Sequence, residues 1–183
     1  MQGTSGIDPC AFKDNDGTIY IIWSGMGLRG AKLADNMTSI EGPAVRLDET
    51  FPKGQTEGPF MFRRGDKYYL TYPWVRLDGG TETLAYAMSD NPLGPYEFKG
   101  VFMEESPVGC WTNHHSFVEF KGEWYLFYHH NDFSPDFDKN RSVRVDKVYF
   151  REDGTIIPVI PTWRGVGYFQ SSDELNIDRY SDD

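Results

Sequence analysis

Alternation of apolar and polar residues divides the chain into short strands, and three of its runs follow one plan. Ile7-Asp8-Pro9-Cys10-Ala11-Phe12, Thr56-Glu57-Gly58-Pro59-Phe60 leading into Met61-Phe62, and Asn113-His114-His115-Ser116-Phe117-Val118 each place a polar side chain ahead of an alternating apolar stretch. A short turn with glycine at a fixed place follows, then a second strand: Gly17-Thr18-Ile19-Tyr20, Gly65-Asp66-Lys67-Tyr68 and Gly122-Glu123-Trp124-Tyr125. Glycine supplies the positive φ that tight hairpins need. Asp8, Glu57 and His114 precede these glycines by nine, eight and eight residues. One structural position therefore carries an aspartate, a glutamate and a histidine in three copies of a unit.

In the first unit the pattern predicts strands over 8–12 and 18–23, a Gly-rich loop over 25–32 leading to a third strand, and an outer strand over 40–47. The second unit reads as a hairpin of 60–63 and 68–72, a loop at 74–80, a third strand over 83–89, the turn cluster Asp90-Asn91-Pro92-Leu93-Gly94-Pro95, and a fourth strand over 96–102. The third pairs 116–120 with 124–129 across Lys121-Gly122-Glu123 and continues through a polar loop at 131–140 to a strand over 142–150. There Asp153-Gly154 turns the chain into 155–159. Residues 171–183 form a polar, acidic tail to a domain of residues 1–170, and no stretch has the period of an amphipathic helix.

The Gly-x-x-Tyr motifs recur 48 residues apart from Gly17 to Gly65 and 57 apart from Gly65 to Gly122. Four short strands in each period of about 40–50 residues mark the blades of a β-propeller. A propeller lays the first strand of every blade along its central channel, which brings Asp8, Glu57 and His114 to one place.

Composition agrees with an all-β chain: 16% of the residues are aromatic, and 19 Gly and 11 Pro furnish many turns. A formal charge of −10 argues against nucleic acid or an anionic membrane surface as partner. No apolar run approaches the roughly 18 residues of a membrane span. Met1-Gln2-Gly3-Thr4-Ser5 does not read as a signal peptide, which leaves a cytoplasmic or a secreted location open. Cys10 and Cys110 indicate no disulfide framework and read as small core residues.

A carboxylic acid beside a second carboxylate, in a cleft lined with aromatic rings, keeps a proton near neutral pH and can serve as a general acid. Glycoside hydrolysis needs such a group, with a second carboxylate to activate water. Trp23, Trp74 and Trp111 flank the repeated polar positions, where they either stack on sugar faces or pack between blades. Taken singly, Asp8, Glu57 and His114 could merely cap strands; a shared repeat offset favours a joint role. His129 and His130 read as structural or loop residues. The chain has no zinc-type Cys/His spacing and no phosphate-binding glycine loop.

These residues resemble glycoside hydrolase family 43, the five-bladed propeller family of β-xylosidases, α-L-arabinofuranosidases and arabinanases. The likeness rests on Ile7-Asp8-Pro9 with Asp16-Gly17-x-x-Tyr20, on Glu57-Gly58-Pro59, on Asn113-His114-His115-Ser116, on Ser89-Asp90-Asn91-Pro92-Leu93-Gly94-Pro95, and on Arg141-Ser142-Val143-x-Val145-Asp146. It runs from about Gly6 to Gly167. The resemblance implies that Glu57 is the general acid of an inverting hydrolysis on xylose- or arabinose-containing plant polysaccharide, and that Asp8 tunes the acid's proton affinity and orients it. It also implies that His114 helps hold a hydrated calcium ion near the axis, and that Arg141 and His115 contact substrate.

One departure accompanies the likeness. The family's base aspartate belongs to a blade upstream of the segment matched by Asp8, which here lies seven residues after Met1. The expectation is then roughly three four-stranded blades of five, without the base and with two uncovered blade faces. Such faces predict self-association or a complementing chain that closes the ring. The alternatives are a carbohydrate-binding relic without turnover, or an excised fragment.

Overall fold

A computed structural model describes residues 4–107, 109–133, 136–137 and 139–167; among them the chain forms twelve strands and no helix. The polar tail at 171–183 and part of the loop at 131–140 lie outside the described residues.

The first sheet runs β1 (Ile7–Lys13), β2 (Ile19–Ser24), β3 (Leu28–Leu33) and β4 (Ile40–Arg46) in sequence order, every neighbour antiparallel. The loop expected over 25–32 is confined to its first residues, because β3 already begins at Leu28. Small residues there are a packing requirement. A Cβ on Gly30 would stand 3.0 Å from Leu93 Cδ2 and 3.1 Å from Leu47 Cδ1, so the glycine lets the strand approach its neighbours closely.

The second sheet holds β5 (Gly54–Thr56), β6 (Phe60–Arg64), β7 (Lys67–Arg76), β8 (Glu82–Ser89) and β9 (Glu97–Met103). β5 and β6 both pair with one edge of β7, Thr56 opposite Trp74 and Phe60 opposite Thr71. They are two halves of one inner strand, interrupted at Glu57-Gly58-Pro59. The half before the break is only Gly-Gln-Thr and shows no apolar alternation to betray it. β7 accordingly runs to Arg76, through residues expected to be loop.

The third sheet is β10 (His115–Phe120), β11 (Glu123–His130) and β12 (Ser142–Val148). Its fourth member shrinks to one bridge, Phe150 with Ile156. Pro158 follows two residues later and has no N–H to extend a ladder.

The inner strands are neighbours, β1 beside β6 and β6 beside β10, as blades around an axis require. One apolar layer lies between the first and second sheets, with Ile22, Leu28 and Leu47 against Met61, Leu70, Tyr72 and Ala85. A second joins Phe62, Tyr69, Leu84 and Phe102 to Phe117, Leu126, Tyr128 and Val148 of the third sheet. Phe62 is the hinge of this layer: its ring stacks on Tyr69 and on Phe117, with centroids 4.6 Å away in both cases. Among the described residues the other face of the third sheet is exposed, with Val118, Phe127 and Val143 all more than 40% exposed. Replacing Phe62 by Ala removes the ring that spans two blades and should cost about 3–5 kcal/mol, read as a lower midpoint in denaturant unfolding.

Candidate active site

The site forms where the inner strand of the second sheet breaks. Gly58 adopts φ +48°, which ends the ladder of β5 and leaves its buried N–H without a strand partner. The donor is taken up from the first sheet: Asp8 Oδ2 accepts the Gly58 N–H at 3.3 Å. Asp8 can reach because β1 carries a bulge between Ile7 and Cys10, and Asp8 itself has φ +52°. Bulges re-aim a side chain, and aspartate is among the few residues that tolerate this conformation.

The third sheet meets the same spot. A Cβ built on Gly58 would lie 3.0 Å from His114 Cε1 and 3.2 Å from its Nδ1, so the imidazole packs against the glycine backbone. Glu57, half-buried, is fixed by its own N–H to the Pro73 carbonyl at 3.3 Å and receives a hydrogen bond from Gln55 Nε2 at 3.2 Å. The structure thus brings together Asp8, Glu57 and His114 from three sheets.

The other named residues divide. Arg141 is exposed and lines an open hollow of about 430 Å³ together with His114, Phe127, His129 and Val143. Trp111 is 47% exposed, three residues before His114. Trp74 stands opposite Thr56, packed edge-on to Phe98 at 5.6 Å. Trp23 is a core residue of the first sheet, buried, with its indole N–H donating to the Ser5 carbonyl at 3.1 Å. His115 is 5% exposed and borders the same hollow as Arg141. Its Nε2 is 2.7 Å from Thr71 Oγ1, and Phe60, Phe102 and Phe117 surround the ring. Burial, with His114 alongside, pushes its pKa down to about 3 and keeps it neutral. His129 is likewise held neutral, its pKa pushed down to about 4 by burial and by Arg141.

Sequence reasoning missed Glu82, the first residue of β8. It is 3% exposed. Burial pushes its pKa up to about 8, aided by the charges of Glu57 and Asp8 and by a hydrogen bond to Glu57, against a hydrogen bond from the Asn113 backbone. The signal that could have found it is an acid opening a strand whose eight residues are all buried.

Both cysteines are free; Cys110 is buried with Sγ 3.9 Å from His129 Nδ1, and Cys10 is half-buried. Calcium takes six to eight oxygen ligands. Among the described residues no group of three or more His, Cys, Asp or Glu is placed to hold a metal ion.

Comparison with known proteins points the same way. The family model described as Glycosyl hydrolases family 43 matches residues 1–156. A β-xylosidase of Xylanibacter ruminicola is 34% identical over 85% of this chain, and a xylosidase/arabinosidase of Bacteroides ovatus 35% identical over 87%. The chain spans about 59% of the length of each. Among solved structures, a β-xylosidase/α-arabinofuranosidase from a compost microbial metagenome, in complex with xylotriose and calcium-free, superposes with a TM-score of 0.75 at 30% identity. That match covers 87% of this chain and 59% of the other. The Xanthomonas citri GH43_1 enzyme in complex with xylose gives a TM-score of 0.75 at 28% identity, over 88% of this chain and 59% of the other.

Replacing Gly58 by Ala tests the convergence. The left-handed backbone costs an L-residue about 1–2 kcal/mol, and the new methyl meets His114 and Pro73 Cγ at 3.0 and 3.1 Å. The expected outcome is a lower unfolding midpoint together with a displaced His114 imidazole resonance.

Proposed function

The chain belongs to the glycosyl hydrolases family 43, and from that premise we propose that it carries the acid side of an inverting glycosidase active site. The substrates are xylose- or arabinose-containing oligosaccharides and polysaccharides of plant cell walls, the class named by its relatives. The observation that carries this reading is the Asp8–Gly58 hydrogen bond, which ties a second carboxylate to the backbone next to Glu57.

In the proposed step Glu57 gives its proton to the glycosidic oxygen as the bond from that oxygen to the anomeric carbon breaks. Water, deprotonated by a base, attacks the opposite face of the sugar, and a single displacement inverts the configuration. Asp8 holds the Gly58 amide and with it the orientation of Glu57. Arg141, at the rim of the hollow beside His114, is the group positioned to reach sugar hydroxyls, and Trp111 offers an exposed ring for stacking.

We propose that the base is supplied by blades that pack against those described. The exposed apolar face of the third sheet supports further blades packing there, and isolated blade faces of this kind associate. We propose that a second copy or a complementing chain supplies them.

Two measurements test the reading. Glu57→Gln should lower kcat/KM on xylosides with poor leaving groups by about 10²–10⁴-fold, with much less effect on activated aryl glycosides. A rate independent of Glu57 would sink the assignment. Sugar binding without turnover in both proteins would identify a non-catalytic binding module instead. Solution mass, measured beside turnover, should show the active species to be larger than one 21.0 kDa chain; an active monomer overturns the proposal of closure by assembly.

A further inference from the structure

Four acidic residues are buried among the described residues: Asp14, Asp48, Glu82 and Asp146. Three of them are satisfied by donors. Asp14 accepts from Arg63 Nη1 and the Tyr68 hydroxyl, Asp48 from Arg46 Nε and Thr56 Oγ1, and Asp146 from the Tyr128 and Thr162 hydroxyls. Glu82 has the Asn113 backbone amide alone as donor. Its Oε2 is buried and no donor reaches it. The groups that face it are the Glu57 carboxyl at the strand break, the Asp8 carboxylate of β1, the Cys110 thiol and the Asn113 backbone amide, and none of these is a cation.

A carboxylate buried without a cation or hydroxyl donor is expensive, and two adjacent carboxyls cannot both ionise cheaply. Oxygen can face oxygen across such a pair only where one of them carries hydrogen. A proton on Glu82 Oε2 or on Glu57 turns the unpartnered contact into a hydrogen bond.

We propose that Glu82 and Glu57 hold one proton between them, with Glu82 as the positioning residue that keeps the acid supplied. This rests on the reading of Glu57 as general acid. The half-buried member, Glu57, is the one open to solvent and delivers the proton; the buried member, Glu82, never touches substrate. When Glu57 gives its proton to the leaving oxygen, both carboxylates are briefly ionised side by side. Their repulsion draws one proton back from solvent, so Glu82 is unchanged over the cycle. The pair resists full ionisation up to the pH at which Glu82 titrates.

The test reads the pair directly and then in turnover. Carboxyl carbon resonances of the glutamates, followed by NMR against pH, should show one group titrating far above the ordinary range in the unaltered protein. That step should vanish in Glu82→Gln and move down by at least about one pH unit, tenfold in proton affinity, in Glu57→Gln. Both substitutions are isosteric, and retained resonance dispersion reports that each variant is folded. In turnover, Glu82→Gln should keep its activity at acidic pH but lose the alkaline limb of kcat/KM about one unit earlier. An unchanged high-pH titration in either variant overturns the shared proton, whether or not the protein turns over substrate. If the titration behaves as expected and Glu57→Gln leaves turnover untouched, the pair stands and the reading of Glu57 as general acid falls.

Discussion

The hydrogen bond from the Gly58 N–H to Asp8 is the contact on which the arrangement of the site depends. A broken inner strand leaves a backbone donor in a buried position, and such a donor must be satisfied or the fold loses about 1–3 kcal/mol. A β-strand partner cannot do this without closing the break that presents Glu57. A side chain from the neighbouring sheet can, provided it arrives from the channel side. The bulge in β1 and the left-handed conformation of Asp8 meet that demand. Strain is stored in the first sheet so that the second can open, a pattern common where backbone strain serves a site. His114, packed on the same glycine, extends the coupling to the third sheet.

The layers between sheets hold this geometry in place. Tyr, Phe and Trp fill the space between sheets, and their rings fix the angle between blades through stacked and edge-on contacts such as Phe62 with Tyr69 and Trp124. The three largest fully buried side chains, Tyr69, Tyr72 and Phe102, belong to the second sheet, which packs against both of the others. The site accordingly sits on the best-supported blade, with its partners donated by the two flanking ones.

Much of this was legible in the sequence. The fixed offset from polar residue to turn glycine announced the three-blade repeat, and it identified Asp8, Glu57 and His114 as equivalent before any coordinates placed them together. Side chains beyond the repeat were less legible. His115 lies nearer a repeated position than Trp111 does, yet His115 and Trp23 are buried while Trp111 is exposed. Sequence distance to a site does not report which face of a strand a residue occupies, and here one residue's difference in register separates core from cleft. β5 was missed because a three-residue strand beside a break has no period to detect. Glu82 escaped because a glutamate at the head of a strand ordinarily lies in solvent; its burial follows from pairing with β7 and from the approach of the chain at Asn113, both long-range facts.

The distribution of unsatisfied polar atoms gives the repeat its functional sense. A sheet core built for stability alone bonds its buried donors and acceptors within the protein. Here the buried side-chain atoms that no protein group bonds are concentrated at Glu82, Thr112, Asn113, His115, and His129 through Asn131. Glu82 opens β8, Thr112, Asn113 and His115 flank His114, and His129 to Asn131 close β11. Ser24, Trp74 and Ser106 each carry one such atom elsewhere, whereas the buried acids Asp14 and Asp146 are bonded. Local consistency is thus given up chiefly at one end of the sheets, which is how a fold behaves where chemistry, and not packing, sets the residue types. A strand-capping role for Asp8, Glu57 and His114 would explain three hydrogen bonds; it would not explain why unpaired polarity gathers around them. The gathering follows if that end of the blades exists to meet a polar ligand and to handle a proton.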